Sequence, residues 1–296
     1  MSTSHTSSSR KKSSPRNPAR RKFQRRALYA AGAFVGGSTL VSIFGERTWL
    51  TAQRVDIPLP DLPPPLEGFT ISHLSDLHRG PYISEEQLRE AAQMAMAYAP
   101  DMIVLTGDHL SLSARYAKSC VAALSALNAP YGIYAVLGNH EYWTDQVTRV
   151  TNAYRDAGLN VLINDSARIS LPGLDWWVCG VDDIWEGRPD LDGLLAKVPD
   201  HAFKLLLCHE PDYADRAAER NLPLQLSGHS HGGQIRLPGV GPVRLPVFAR
   251  KYPYGLQRVP NSDTLVYTTA GVGVTFPPIR INCRPEVAIL RLTKTG

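Results

Sequence analysis

Five short apolar segments of this 296-residue chain each end directly in a cluster of polar side chains. The clusters are Asp76-Leu77-His78, Gly107-Asp108, Gly138-Asn139-His140-Glu141, Cys208-His209-Glu210 and Gly228-His229-Ser230-His231-Gly232-Gly233. In open α/β sheets the carboxyl ends of the strands meet at one edge, and ligands bind there. The chain is therefore expected to adopt a fold that brings five strand ends together.

Strand-like and helix-like segments alternate through the body of the chain. Strands are expected at 69–74, 102–106, 132–137, 161–163, 168–171, 176–181, 203–208, 224–226, 264–268 and 287–292. Helices are expected at 84–98, 113–127 and 211–220, and from Thr144 or Asp145 to about Ala157. Ser84 followed by Gln87 is typical of a capping box at a helix start. This order predicts an α/β fold with two mixed sheets.

Basic residues are concentrated at the amino terminus, so the formal net charge of +5 describes neither part of the chain. Residues 1–54 contain eleven Lys/Arg and one acidic residue, whereas residues 55–296 contain twenty-one Lys/Arg and twenty-six Asp/Glu. The folded part is therefore mildly acidic, and no nucleic acid is expected as a partner. The hydrophobic content of 43% excludes a wholly disordered chain.

Residues 1–26 are expected to form a disordered basic tail, and residues 27–45 are expected to form a signal or anchor helix. The pair Arg20-Arg21, followed by Phe23 and eighteen uncharged residues, resembles a twin-arginine export signal and suggests that export machinery as a partner. The preceding basic residues would keep the amino terminus in the cytoplasm, with the anchor in the bacterial inner membrane and the body facing the periplasm. No clear Ala-x-Ala site follows, so retention is at least as well supported as cleavage and export.

Residues 46–66 are expected to form a Pro-rich linker. Five prolines within residues 55–66 exclude a helix and predict an extended spacer, so the globular domain is expected at 67–296. The four cysteines have no close spacing, which disfavours a cysteine metal site. Cys179 and Cys208 lie in apolar segments and are expected to be buried free thiols.

Seven side chains in the five clusters carry oxygen or imidazole donors suited to a hard or borderline dication. They are Asp76, His78, Asp108, Asn139, His209, His229 and His231, and His140 lies beside them in the sequence. Seven donors exceed what a single ion needs, so two ions sharing one aspartate account for the number. A turn or a buried histidine explains any one cluster, but not all five in this order at strand ends.

The order Asp-x-His, Gly-Asp, Gly-Asn-His-Glu, His and Gly-His-x-His resembles the calcineurin-like metallophosphoesterases. The resemblance extends from about residue 67 to the end of the chain. Segments 228–238 and 278–286 are similar to a bacterial membrane-associated branch that includes phosphodiesterases and UDP-2,3-diacylglucosamine hydrolases. The resemblance implies a four-layer α/β/β/α sandwich of two mixed sheets.

The same resemblance implies a role for each donor in a dinuclear metal centre. Asp76, His78 and His231 would hold the first ion, and Asn139, His209 and His229 would hold the second. Asp108 would bridge both ions, a bridging hydroxide would attack phosphorus, and His140 would protonate the leaving oxygen. Mn²⁺ is the favoured metal, with Fe, Zn or a mixed pair as rivals.

The implied reaction is metal-dependent hydrolysis of a phosphodiester or pyrophosphate, and a lipid-linked phosphoester is one candidate substrate. The alternatives are a UDP-2,3-diacylglucosamine pyrophosphatase of lipid A biosynthesis, a phosphomonoesterase and a metal-binding scaffold without turnover. Segment 228–232 also matches the Gly-x-Ser-x-Gly pattern of serine hydrolases, but no histidine follows His231 to complete a triad in that order. Arg79, Arg236 and Arg280 could hold a phosphate or serve structure, and His109 is expected at the surface.

Overall fold

The computed structural model describes residues 45–295 of the chain. The expected basic tail at 1–26, and all of the expected helix except Gly45, lie outside the described residues. None of the helices within residues 45–295 combines the length and the apolar character needed to cross a bilayer.

Fourteen strands and six α-helices make up the described part of the chain. The strands are β1 (Thr51–Leu59), β2 (Thr70–Leu74), β3 (Met102–Thr106), β4 (Ile133–Val136), β5 (Asn160–Val161), β6 (Asp165–Leu171), β7 (Leu174–Gly180), β8 (Phe203–Leu207), β9 (Leu224–Ser227), β10 (Arg236–Leu237), β11 (Gly241–Pro242), β12 (Gly255–Arg258), β13 (Leu265–Thr268) and β14 (Glu286–Lys294). The helices are α1 (Glu85–Met96), α2 (Ala117–Leu124), α3 (Asn139–Tyr142), α4 (Val147–Asp156), α5 (Leu191–Leu195) and α6 (Ala214–Ala218).

Two six-stranded sheets form the centre of the fold. Their strand orders are β1-β14-β2-β3-β4-β5 and β12-β13-β9-β8-β7-β6, and each sheet contains both parallel and antiparallel pairs. An apolar core lies between the sheets. Helices α1, α2 and α4 pack on the outer face of the first sheet, and α5 and α6 pack on that of the second. The expected α/β/β/α sandwich of two mixed sheets is confirmed.

Helix α1 begins where the local sequence predicts, whereas helix α4 does not. The Ser84 side chain accepts a hydrogen bond from the Gln87 N–H, and the Gln87 side-chain oxygen accepts one from the Ser84 N–H, so the predicted capping box is present. Helix α4 begins later than expected, with Gln146 at its N-cap position instead of Thr144 or Asp145. The Thr144 hydroxyl instead accepts from the Gln146 N–H and shapes the turn before the helix.

The prediction that residues 46–66 form a linker is wrong, because this Pro-rich segment is part of the sandwich. Strand β1 is extended, as expected, but it pairs in parallel with β14 along all nine of its residues. Pro58 fits because β1 is an edge strand, where a missing N–H breaks no ladder. Ile57, Leu59 and Leu66 are buried in the core between the sheets. The folded domain therefore begins well before residue 67.

His73 makes the stability of the sandwich depend on pH. Its ring lies in β2 with its centroid 6.0 Å from that of Tyr267 in β13, and its Nε2 hydrogen-bonds the Thr106 hydroxyl at 2.8 Å. Burial lowers the pKa of His73 from 6.5 to about 3. Below pH 6.5 the unfolded chain therefore binds a proton that the folded chain excludes, so the free energy of unfolding falls as the pH falls toward 3.

We expect His73→Leu to flatten this dependence. Between about pH 6.5 and pH 5, His73 alone should lower the free energy of unfolding of the wild type by about 2 kcal/mol, because each pH unit changes it by about 1.4 kcal/mol per proton. Urea unfolding of the wild type and the variant at both pH values measures the difference. His201→Leu is the matched control, since the His201 side chain is 78% exposed. Equal pH slopes in wild type and His73→Leu would contradict the assignment.

Candidate metal centre

Five strand ends from the two sheets meet at one edge of the sandwich and carry the seven predicted donors. Asp76 and His78 follow β2, Asp108 follows β3, Asn139 follows β4, His209 follows β8, and His229 and His231 follow β9. All seven are buried. The structure therefore brings together every residue that the sequence pattern selected, three strand ends from the first sheet and two from the second.

The backbone at the strand ends is held in a conformation that most residues avoid. Asp76, His78, Asp108, His229 and His231 all have φ between 47° and 65°. Positive φ costs a residue with a Cβ about 1 kcal/mol or more, and such strain is found where a site fixes side-chain directions. The left-handed turns point these five side chains into a common space.

Glycine is required where the loops approach one another most closely. A Cβ added to Gly138 would overlap the Asp108 carboxylate, and one added to Gly228 would overlap Ser75 and Asp76. These contacts explain why both clusters begin with glycine. A larger residue at either position would push the strand ends apart and with them the donors.

Asp108 lies at the centre of the donors. Its Oδ2 is 3.6 Å from His78 Nε2, 3.2 Å from His209 Nε2 and 4.0 Å from His140 Nε2. Three sets of side chains have ligand atoms that all lie within 4.8 Å of one another. Asp76, His78 and His231 form the first set, Asp108, His209 and His229 form the second, and a third set of His78, Asp108 and His140 connects them. The geometry is that of two adjacent cation sites beside one central carboxylate.

Hydrogen bonds to carbonyl oxygens fix which ring nitrogens face this centre. His209 Nδ1–H donates to the Thr106 carbonyl at 2.6 Å, and His229 Nε2–H donates to the Val247 carbonyl at 2.9 Å. His209 Nε2 and His229 Nδ1 are then 3.1 Å apart. Because metal-bound histidines commonly donate their other N–H to such a partner, both rings are oriented for ligation.

Burial keeps most of the histidines neutral. Burial, reinforced by the charge of neighbouring histidines, holds the pKa values of His78 and His231 well below 6.5 and lowers that of His229 to about 3. Burial also opposes the charged form of His209, but the Asp108 carboxylate outweighs it and raises the pKa of His209. Neutral imidazole is the form that binds a metal, so three of the four rings already have it.

Two observations show that these residues fit metal ions. Asn139 Oδ1 is buried and has no hydrogen-bond partner among the described residues, which leaves a carbonyl oxygen free as a ligand. His78 Nε2 and His231 Nε2 lie 3.0 Å apart, and both rings are neutral. The Nδ1 atoms of both rings are buried and have no hydrogen-bond partner among the described residues. Buried polar atoms normally have partners, and a divalent cation bound by Asn139 Oδ1 would supply the partner that this oxygen lacks, while the two Nε2 atoms that face each other are placed to bind a second cation.

His140 lies at the opening of the centre. Its side chain is 12% exposed, its Nδ1–H donates to the Ser111 carbonyl, and its Nε2 faces Asp108. Trp143 packs against the His140 ring with 4.5 Å between the ring centroids, and the ring centroids of Trp185 and Trp143 are 5.5 Å apart. Both tryptophans are about two-fifths exposed beside the donors. Sequence reasoning selected neither tryptophan. For Trp143 the available signal is its position two residues after the Gly-Asn-His-Glu cluster.

Glu141 is a second functional residue to which sequence reasoning gave no role. Its buried carboxylate accepts hydrogen bonds from the N–H groups of Asp108, Leu110 and Gly138, each at 2.9 Å. It thereby ties the loop after β3 to the loop after β4. Glu141 is a positioning residue for Asp108 rather than a donor to the centre.

The three arginines considered for phosphate binding all donate to backbone carbonyls. Arg79 donates to Gly80 and Ile83, Arg236 donates to Gly232, and the fully buried Arg280 donates to Ala270, Gly271, Gly273 and Cys283. All three arginines therefore have a structural role. The prediction that His109 lies at the surface is wrong. Its ring is buried, with its centroid 5.1 Å from that of Tyr154, and burial lowers its pKa to about 3.

The four cysteines take no part in the centre. All are buried and free, including Cys179 and Cys208 as expected. Burial raises the pKa of each thiol, for Cys179 to about 12. A thiol with so high a pKa is a poor nucleophile and a poor ligand at neutral pH.

Comparison with known proteins identifies one family and several relatives. Residues 69–233 match the family model described as calcineurin-like phosphoesterase. The uncharacterized metallophosphoesterase YkuE of Bacillus subtilis is 31% identical over 91% of this chain and 95% of its own length. The phosphodiesterase YaeI of Escherichia coli is 32% identical over 76% of this chain and 82% of its own length.

A longer relative has a name that mentions a membrane. The transmembrane protein with metallophosphoesterase domain of Bos taurus is 35% identical over 80% of this chain, and the match spans 56% of that protein. The family match covers more than half of the chain and includes all five strand-end clusters. This chain therefore belongs to the calcineurin-like phosphoesterase family and is a metallophosphoesterase, a hydrolase of phosphoester bonds.

Proposed function

We propose that this protein hydrolyses a phosphodiester with the help of two divalent metal ions held at the strand-end donors. The observation that carries the proposal is the position of Asp108, whose carboxylate lies between two separate sets of donors. Members of the family typically contain a dinuclear divalent centre, and the name of the relative YaeI favours a diester over a monoester or a pyrophosphate.

The two ions would have different ligands. Asp76, His78 and His231 would hold one ion, Asn139, His209 and His229 would hold the other, and Asp108 would contact both. The donors are oxygen and imidazole nitrogen without thiolate, so Mn²⁺ is the favoured metal, with Fe, Zn or a mixed pair as rivals. When bound, the ions would supply Lewis acidity and lower the pKa of water in the site.

The protein's own residues would orient the substrate and move one proton. In the overall reaction the oxygen of water forms a bond to phosphorus, the bond to the ester oxygen breaks, and the departing oxygen takes up a proton. His140 is placed to give that proton, because its Nδ1–H is engaged by the Ser111 carbonyl and its Nε2 faces the donors. In the imidazolium form, Nε2 carries the transferable proton. The exposed edges of Trp143 and Trp185 would contact the organic part of the substrate.

The cellular setting forms the second part of the proposal. The bovine relative is named as a transmembrane protein, and the uncharged run at 27–44 after a basic segment is the part of this chain suited to an anchor. We propose attachment to the inner membrane, with the metal centre outside the cytoplasm after passage through the twin-arginine machinery. A lipid-linked phosphoester then becomes a suitable substrate, and UDP-2,3-diacylglucosamine is the alternative.

Hydrolysis of bis-p-nitrophenyl phosphate by the purified chain tests the proposal. We expect turnover with Mn²⁺, loss of at least about 100-fold after EDTA treatment, and recovery when Mn²⁺ is added back. His140→Asn should lower kcat by about 10²–10⁴-fold, the usual contribution of a positioned proton donor, with unchanged metal content. His201→Asn, at an exposed histidine far from the donors, is the matched control. Absence of hydrolysis with Mn²⁺, Fe²⁺ and Zn²⁺ would instead favour the scaffold without turnover.

A further inference from the structure

Exposed apolar side chains are concentrated on one surface beside the metal centre. This surface, which we call the apolar rim, consists of the β10–β11 hairpin, residues 243–248 and the loop at 275–282. Val240 at the hairpin tip is 75% exposed and Phe276 is 80% exposed. The other exposed apolar residues of the rim are Leu237, Val243, Val247 and Phe248. Single exposed apolar residues are ordinary, but a group of six on adjoining loops indicates a binding surface.

Hydrogen bonds join the segments of the apolar rim into one surface. The Arg236 N–H donates to the Ile281 carbonyl at 2.9 Å, and Asn282 Nδ2 donates to the Arg236 carbonyl at 3.0 Å. Gln234 Nε2 donates to the Pro277 carbonyl at 2.8 Å. The hairpin and the loop at 275–282 are therefore fixed side by side, and the exposed side chains they carry share one surface.

The segment that continues from the amino-terminal region enters the domain at this same surface. The Glu46 carboxylate accepts hydrogen bonds from the N–H groups of Asn282 and Cys283, and Arg47 donates to the Pro278 carbonyl. Trp49 is 59% exposed, and the Arg284 guanidinium carbon lies over its ring, 3.7 Å from the ring centroid. Eighteen uncharged residues, 27–44, precede this entry point in the sequence. The described chain therefore begins next to the apolar rim, at the point where this uncharged run ends in the sequence.

Positive charge is concentrated in the apolar rim and in the segment that directly follows residue 248. Residues 236–260 contain five basic residues and no acidic one. Lys251 and Arg258 are paired with aspartates, but Arg244 and Arg250 are exposed and make no ion pair within the described residues. Apolar side chains bordered by unpaired arginines are typical of surfaces that enter the headgroup region of an anionic bilayer.

We propose that the apolar rim docks onto the surface of an anionic lipid bilayer. Insertion of the hairpin tip and Phe276 would bury apolar surface, and the arginines would face lipid phosphates. The entry point at Glu46 and Arg47 favours a bilayer over a second copy of the chain, because it attaches the preceding uncharged residues beside the rim.

Docking would place the metal centre at the lipid surface. The Val247 carbonyl of the rim accepts from His229 Nε2, and Cys283, which directly follows the rim loop, donates from Sγ to the His231 carbonyl at 3.1 Å, so the rim adjoins two of the donors. This consequence rests on the proposed function: the substrate would be a phosphoester whose headgroup is presented by the bilayer. Water-soluble diesters would reach the same centre without docking.

A single fluorescent label tests docking in the full-length chain. All four native cysteines are buried, so an introduced Val240→Cys can be labelled selectively with an environment-sensitive dye such as NBD. We expect a blue shift and an intensity increase with vesicles of phosphatidylcholine containing phosphatidylglycerol. Ala126→Cys is the matched control, since Ala126 is exposed on the loop leading to the amino end of β4, opposite the donors, and its label should not respond.

Charge reduction provides the second arm of the test. Arg244→Gln in the Val240→Cys background should lower the docked-to-undocked ratio about fivefold, which corresponds to about 1 kcal/mol per basic residue at an anionic surface. A label at residue 240 that remains in water while the protein sediments with the vesicles would overturn the proposal. A shift that grows with protein concentration in the absence of vesicles would also overturn it, because the surface would then bind a second copy.

Activity ratios separate this inference from the proposed function. Val240→Asp and Phe276→Asp should retain hydrolysis of bis-p-nitrophenyl phosphate while losing about tenfold or more against an acylated p-nitrophenyl phosphodiester embedded in vesicles, a change of about 1.4 kcal/mol. Equal loss on both substrates, or loss on neither, would contradict docking as the route to substrate. Failure of the wild type on the soluble diester would count against the proposed function alone.

Discussion

Asp108→Asn is expected to abolish turnover, lowering kcat/KM by about 10³-fold or more through the loss of one electrostatic anchor of the transition state. Within residues 45–295, the Asp108 carboxylate is the one acidic group that belongs to more than one set of donors, at 3.6 Å from His78 Nε2 and 3.2 Å from His209 Nε2. An amide has nearly the same shape but cannot neutralise two dications. The fold should survive, because Oδ1 of the new side chain can still accept from the His140 N–H as Asp108 does at 2.9 Å.

Metal analysis and kinetics on the same samples distinguish the cause of that loss. Elemental analysis should find two ions per wild-type chain and at most one per Asp108→Asn chain, with the circular dichroism spectrum unchanged. Asp263→Asn is the matched control, because this carboxylate is 88% exposed and distant from the donors. Near-normal activity or full metal content in Asp108→Asn would show that the two sites do not share this residue.

A chain that begins at residue 67 is expected not to fold, whereas a chain that begins at residue 45 should fold. Removing 45–66 takes away β1 and with it the parallel partner of β14. It also removes four buried apolar side chains, those of Ile57, Leu59, Leu62 and Leu66. At about 1.5–3 kcal/mol for each side chain, the loss is about 6–12 kcal/mol, which is comparable with the whole stability of a typical domain.

Expression, size-exclusion behaviour and urea unfolding of the two shortened chains measure this difference. Within the full-length chain, Ile57→Glu should lower the free energy of unfolding by several kcal/mol because it buries a charge between the sheets. Gln53→Glu places the same side chain on an exposed position of the same strand and should change little. A cooperative, monomeric 67–296 chain with wild-type stability would mean that β1 is dispensable.

The donors of the candidate metal centre could be selected from the sequence because each lies within four residues of the end of a short apolar strand. The carboxyl ends of neighbouring strands must meet at a sheet edge, so Asp76, Asp108 and Asn139 were certain to be neighbours once the first sheet was recognised. The same reasoning joined His209 to His229. The facing of the two sheets, which brings these groups within 4.8 Å, followed from the family resemblance and not from periodicity.

Other features lay beyond such local patterns. The prolines at 55–66 predict an extended chain equally well for a solvated spacer and for an edge strand, and only the pairing with β14, more than two hundred residues away, decides between them. His109 resembles the surface residues that often follow a turn, but its ring is covered by Tyr154 of α4. Arg280 shows no periodic signal, and its burial depends on a loop that folds around its guanidinium.

The sequence by itself determined the types of side chain at the strand ends, the alternation that produces two mixed sheets, and a basic, apolar amino-terminal region joined to an acidic body. The tertiary structure decided where the domain begins, which ring nitrogen of His209 and His229 faces the centre, and that exposed apolar loops lie beside that centre. The physical reason is range: strand and helix propensities act over a few neighbouring residues, whereas burial, strand pairing and hydrogen-bond partners depend on residues that only the folded chain brings together.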